Sequence, residues 1–222
     1  MNRRIMSILS MVLVLCMLFS SVTVYANSEQ VLEENGIRVI ALGCDRFQVN
    51  DNGNISYIEI RENSSLRTVV KIIDTTGECT VLSLDKARNT ITSSRNDEVI
   101  NVLDCNGEID EEWQVPDRYA GEIRYKYISY AQIKNALGGT ATVAGVAGII
   151  VLILTAAGFA VPGMIPTITT LLGGITGLIA SVMNGSPNHG LKITLKCYLK
   201  TVHHGNDTAQ VEVWKVTGIS TY

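Results

Sequence analysis

Residues 135–191 contain no Asp, Glu, Lys or Arg, a run of 57 residues in which only His189 can take a charge. A helix on a protein surface needs a polar face, and neither arm of this stretch supplies a charged one. Residues 141–160 form a 20-residue apolar segment, about 30 Å as a helix and so matched to a bilayer's hydrocarbon core. Two prolines and a glycine (Pro162, Gly163, Pro166) punctuate it, and residues 167–183 add 17 more, about 25 Å of helix. The pattern predicts an apolar helical hairpin over residues 140–184. Ala141, Gly145 and Gly148 on one arm, with Gly173 and Gly177 on the other, fall at or near helix-turn spacing, which lets backbones approach closely. With Ile150, Leu152, Leu154, Leu171 and Leu172 they form the candidate membrane-inserting set. The alternative is a helix pair buried in a soluble core.

The N-terminus reads as a secretory signal peptide over residues 1–26. Arg3 and Arg4 supply the positive start, residues 8–19 the apolar centre, and Val24 and Ala26 the −3 and −1 positions of a cleavage site. An uncleaved anchor is the alternative, but the apolar centre is short for a span of about 20 residues. Cleavage after Ala26 removes Cys16 and leaves Cys44, Cys79, Cys105 and Cys197. Four cysteines in an exported chain permit two disulfides in three connectivities, and free thiols are the alternative. No cysteine or histidine spacing suits zinc, so no metal is expected.

Residues 27–117 read as an acidic, β-rich region. Residues 37–42, 55–60, 68–73, 79–84 and 90–93 are rich in β-branched side chains. Turn formers at residues 51–54, 74–78 and 85–89 separate them into an antiparallel meander. The region holds 18 acidic and 8 basic residues, a net of −10. A linker and a short helix follow over residues 118–139, with Arg118, Arg124 and Lys126 as candidate processing sites besides Ala26. Ser129 is placed to cap a helix carrying Ile133, Ala136 and Leu137, which Gly138 and Gly139 stop. The same segment resembles the double-glycine leaders of exported bacteriocins. Ala136 departs from their aliphatic pattern, however, and such leaders open a chain that lacks a signal peptide.

Residues 185–222 return to β structure. Leu191, Ile193, Leu195, Cys197 and Leu199 alternate with Lys192, Thr194, Lys196, Tyr198 and Lys200, a strict period of two. Residues 209–216 pair back after a turn as a β-hairpin. Lys192, Lys196, Lys200, Tyr198 and Trp214 are the candidate lipid-surface residues, since cations meet anionic headgroups and amphipathic aromatics favour the membrane–water boundary. From residue 118 onward the chain has 8 basic and 3 acidic residues, a net of +5.

The expected fold class is α+β: an N-terminal antiparallel β meander, a central apolar helical hairpin and a C-terminal β-hairpin. His189, His203 and His204 form no catalytic arrangement and no catalytic or phosphate-binding motif is present, so neither enzyme activity nor a cofactor is expected. A net charge of −3 gives no reason to expect nucleic acid. The Val24-Tyr25-Ala26 junction, the meander of residues 68–94 and the Gly/Ala-rich segment followed by His189-Gly190-Leu191-Lys192 together resemble secreted large bacteriocins of the geobacillin type. The resemblance is one of layout and implies antibacterial activity through the C-terminal half. The expectation is a secreted, membrane-active protein whose acidic region shields the hairpin until a processing protease cuts within residues 116–126. The hairpin then enters the bilayer, where the chain could also associate with itself. The alternative is a constitutive cell-envelope protein, anchored by the hairpin and displaying the β-rich region as a binding module.

Overall fold

A computed structural model describes residues 31–102, 121–159, 162–204 and 207–222. The segment expected to be a signal peptide with Ala26, the start of the expected linker with Arg118, and Cys105 lie outside the described residues.

Eight strands follow one another as a single antiparallel meander: β1 (Val31–Glu34), β2 (Ile37–Ala41), β3 (Arg46–Asp51), β4 (Asn54–Asn63), β5 (Arg67–Ile73), β6 (Cys79–Asp85), β7 (Thr90–Ser93) and β8 (Asn96–Asn101). Asn35-Gly36 and Asn52-Gly53 join β1 to β2 and β3 to β4, each pair with positive φ at both residues. Those values mark the tight turn whose twist matches that of the flanking strands. Alternation puts one side of β2 to β6 inward: Ile37 and Val39, Phe47 and Val49, Ile58 and Ile60, Val70 and Ile72, Leu82 and Leu84 are all buried.

Among the described residues four α-helices form the middle of the fold: α1 (Tyr130–Leu137), α2 (Val143–Ala156), α3 (Ile165–Gly173) and α4 (Leu178–Asn184). The cap expected at Ser129 is a full capping box. Ser129 Oγ accepts from the Gln132 N–H at 3.2 Å, and Gln132 Oε1 accepts from the Ser129 N–H at 2.9 Å. Gly138 ends α1 with a φ of 64°, a left-handed conformation that costs glycine nothing. A second sheet, in the order β9-β10-β11, is built from β9 (Ile123–Ser129), β10 (Gly190–His204) and β11 (Asp207–Thr221). The helices contact both sheets: α2 lies on β3 to β6, α3 on β1 to β3 and on β11, and α1 on β7 to β10. One apolar cluster joins all three layers. The molecule is α+β with the elements in the expected order.

Two expectations change at the level of elements. The first arm of the hairpin is a 14-residue helix, about 21 Å long. The second arm is two helices bent by 89°. Gly173, Gly174 and Gly177 fall within five residues there, and each weakens a helix by about 1 kcal/mol. The two halves also have different partners, the meander for α3 and α1 for α4. Among the described residues no single helix is long and apolar enough to cross a membrane, and the bent pair α3–α4 meets the test only by combined length and composition. The linker is also shorter than expected: from Ile123 the chain is already in β9, so Arg124 and Lys126 sit in a strand paired with Leu195 and Ile193. A paired strand cannot fit a protease cleft, which places cleavage at those two residues outside the native fold.

Candidate functional site

The ten hairpin residues belong to the core more than to any surface. Gly145, Gly148, Ile150, Leu152, Leu154 and Leu172 are buried, Ala141, Leu171 and Gly173 half-buried, and Gly177 exposed. Every residue of α2 from Val143 to Leu154 is buried. An all-round apolar helix is what a middle layer demands, because protein meets it on every side. The small residues serve the same end. A Cβ on Gly148 would stand 2.9 Å from Ile72 Cδ1 of β5, and one on Gly145 2.9 Å from Leu137 Cδ2 of α1. A Cβ on Gly173 would collide with the Ile37 side chain of β2. The missing side chains let the two hairpin arms close on the sheet and on α1, rather than on one another.

The exposed chemistry is on the second sheet. Leu191, Ile193, Leu195 and Cys197 turn into the core, so Lys192, Lys196, Tyr198 and Lys200 share the outer face. Antiparallel register adds the neighbours. Lys192 stands opposite Tyr127, Thr194 opposite Tyr125 and Lys196 opposite Ile123 on β9. On β11, Lys196 pairs with Lys215, Tyr198 with Val213 and Lys200 with Val211. The result is a face with four lysines, three tyrosines and several aliphatics. On this face, residues 192–202 and 209–220 include no carboxylate. Ile123 is 49% exposed and Tyr125 42%.

The cations and rings are interleaved. Lys192 Nζ sits 3.9 Å from the Tyr125 ring centre and 5.8 Å from that of Tyr127, while Lys196 and Lys215 flank Tyr198 at 5.7 and 5.3 Å. Each contact contributes about 0.5–1 kcal/mol at an exposed site and holds the ammonium groups above the sheet. Tyr127 meets Tyr222 edge-on at 5.3 Å.

Trp214 does not join this face. It stands opposite Cys197 on the inner side, with its ring 5.4 Å from Phe159. The Arg124 guanidinium covers it at 4.5 Å and is itself paired with Glu122 at 2.7 Å. Trp214 is an anchor between sheet and helices. The three lysines and the tyrosine expected at a lipid surface do come together. Tyr125, Tyr127 and Lys215 complete the face without having been expected, although the alternation of residues 123–127 is readable in the sequence and only the linker assignment hid it.

Among the described residues Cys44, Cys79 and Cys197 are free thiols. Burial, with Glu212 and Glu122 nearby, pushes the Cys197 thiol above its ordinary value despite Arg124, which leaves it unreactive. No group of His, Cys, Asp and Glu among the described residues could hold a metal ion. Comparison of the chain with protein-family models, curated proteins and solved structures finds no match.

Proposed function

We propose that the protein acts at anionic membrane surfaces, docking as a folded body through the Lys/Tyr face of the second sheet. The carboxylate-free run of Lys192, Lys196, Lys200 and Lys215 beside Tyr125, Tyr127 and Tyr198 carries this reading. Each lysine near an anionic leaflet contributes about 1 kcal/mol, so four contribute about 4 kcal/mol, close to a thousandfold in affinity. Tyrosines supply the amphipathic contact at headgroup level. A secreted antibacterial protein of the bacteriocin type is the setting that best combines this face with a signal peptide.

Insertion of the helical hairpin is the second reading, favoured by the 57-residue stretch without a formal charge. Its energetic demand is large. Withdrawing α2 and α3 would open the inward faces of β2 to β6, ten large apolar side chains, at about 1.5–3 kcal/mol each. That total of roughly 15–30 kcal/mol exceeds the net stability of about 5–15 kcal/mol typical of a folded domain. Insertion therefore requires the meander to come apart as well, or to be cut away. An envelope protein anchored by the hairpin meets the same requirement.

Co-sedimentation with vesicles tests docking. The purified protein should bind phosphatidylglycerol vesicles and not phosphatidylcholine ones, and Lys192→Gln, Lys196→Gln and Lys200→Gln together should weaken binding by about a hundredfold. Equal binding to both lipids would refute docking by charge. Dye release from the same vesicles reports insertion, and fractionation of a producing culture separates a protein released to the medium from one kept in the envelope.

A further inference from the structure

We infer that the two-stranded part of the β10–β11 ribbon, residues 198–202 with 209–213, is the part of this protein that enters the lipid interface, valine side first; the inference rests on the docking reading and names the element that penetrates. β9 ends at Ile123, opposite Lys196. Gly121 and Glu122 still exchange backbone hydrogen bonds with Cys197; from Tyr198 on, among the described residues, β10 and β11 run as two strands, with Tyr198 opposite Val213, Lys200 opposite Val211 and Val202 opposite Ala209. Among the described residues this end has no third strand, and its docking side presents apolar groups to water: Tyr198 is 38% exposed, Val202 40% and Val211 40%.

The two sides of the ribbon differ in chemistry. On the docking side the apolar groups are joined by Lys196, Lys200 and Lys215, whereas the reverse side carries Glu212 opposite Leu199 and Gln210 opposite Thr201. An anionic bilayer is the occupant this asymmetry fits, since phosphates can take the lysines at the base while the valines pass below them. The exposed apolar side continues the Lys/Tyr face without a break, so the body that docks already sets the ribbon on the surface. Depth is limited by the backbone. A two-stranded ribbon has unpaired N–H and C=O groups along its edges, which hydrocarbon cannot satisfy. The ribbon therefore lies within the interface, about 5–10 Å deep, and does not span. Entry of this end takes no side chain out of the core.

Two variants test the inference on phosphatidylglycerol vesicles. Val202→Trp should show blue-shifted emission, and quenching by bromine-labelled acyl chains well beyond that of the unsubstituted protein. Val202→Thr with Val211→Thr keeps shape and strand propensity but adds hydroxyls, and should weaken binding by about tenfold. Leu199→Thr on the reverse side should leave binding within about twofold, and far-UV circular dichroism checks that each variant folds. If the unsubstituted protein does not bind these vesicles, docking and penetration both fail. If it binds but emission from the Val202→Trp variant stays unshifted and no more quenched than that of the unsubstituted protein, or the double threonine variant binds as tightly, penetration alone is overturned.

Discussion

Asp74 shows how much local chemistry a single turn residue concentrates. Its carboxylate accepts from the Thr76 N–H, the Thr76 hydroxyl and the Glu78 N–H at 2.9, 2.6 and 2.9 Å. Arg95 stands 4.0 Å away and reaches Glu78 at 2.8 Å. Partial burial raises the carboxyl's pKa, but the hydrogen bonds and the Arg95 charge outweigh it and hold Asp74 below its ordinary 3.8. A depressed folded-state value stabilises above the unfolded pKa, and that stability is lost as pH falls through the folded one. Asp74→Asn should therefore cost about 1–2 kcal/mol in denaturant unfolding at neutral pH, and the gap to the unsubstituted protein should close as pH drops below about 4. A gap that stayed constant with pH would show that the charge is not what stabilises this turn. Asp74 and its turn were evident from residues 74–78, because an Asx turn depends on near neighbours. The approach of Arg95 was not, because it joins residues 21 positions apart.

At the scale of elements, strands and caps followed local pattern and the helical hairpin did not. β2, β4, β5, β6 and β7 fall on the alternating segments, and α1 starts and stops at the residues suited to cap it. β9 was hidden by its position just after the linker signal of Pro116 and Gly121, although Tyr125 and Tyr127 alternate with Arg124 and Lys126. The hairpin shows the limit of composition: the same glycines that favour helix pairs in lipid here admit β2, β5 and α1. Gly148→Leu decides between the two environments. On the fold described it should destabilise by about 1–3 kcal/mol through overpacking against Ile72 and Val70, measurable as a shift of the denaturant midpoint. An unchanged midpoint would mean that α2 does not rest on β5.

For the whole molecule, the question is whether the three layers stay together on a membrane. Docking through the Lys/Tyr face leaves the cluster of α2, α3 and the meander intact, while hairpin insertion dismantles it. Hydrogen exchange separates the two. Amides of β4, β5 and β6 should stay as protected on phosphatidylglycerol vesicles as in solution, since exchange in a core strand reports opening of the fold. Loss of protection in these strands on binding would support insertion instead. Docking itself should weaken steeply with salt, because exposed charges are screened over about 8 Å at physiological ionic strength.

The sequence alone determined β2, β4 to β7 and the β10–β11 hairpin, the turns at residues 51–54, 74–78 and 85–89, the capped helix and the presence of one long charge-free segment. Each of these depends on residues a few positions apart, so periodicity and turn chemistry suffice. Tertiary structure decided what the charge-free segment meets and which side chains share the outer face. An all-apolar helix is equally satisfied by lipid or by protein on every side, and its composition cannot distinguish them. Here β3 to β6, α1 and α3 cover it. The Lys/Tyr face likewise exists only through the register that sets β9, β10 and β11 side by side, bringing Tyr125 and Tyr127 to Lys192 across more than sixty positions of chain.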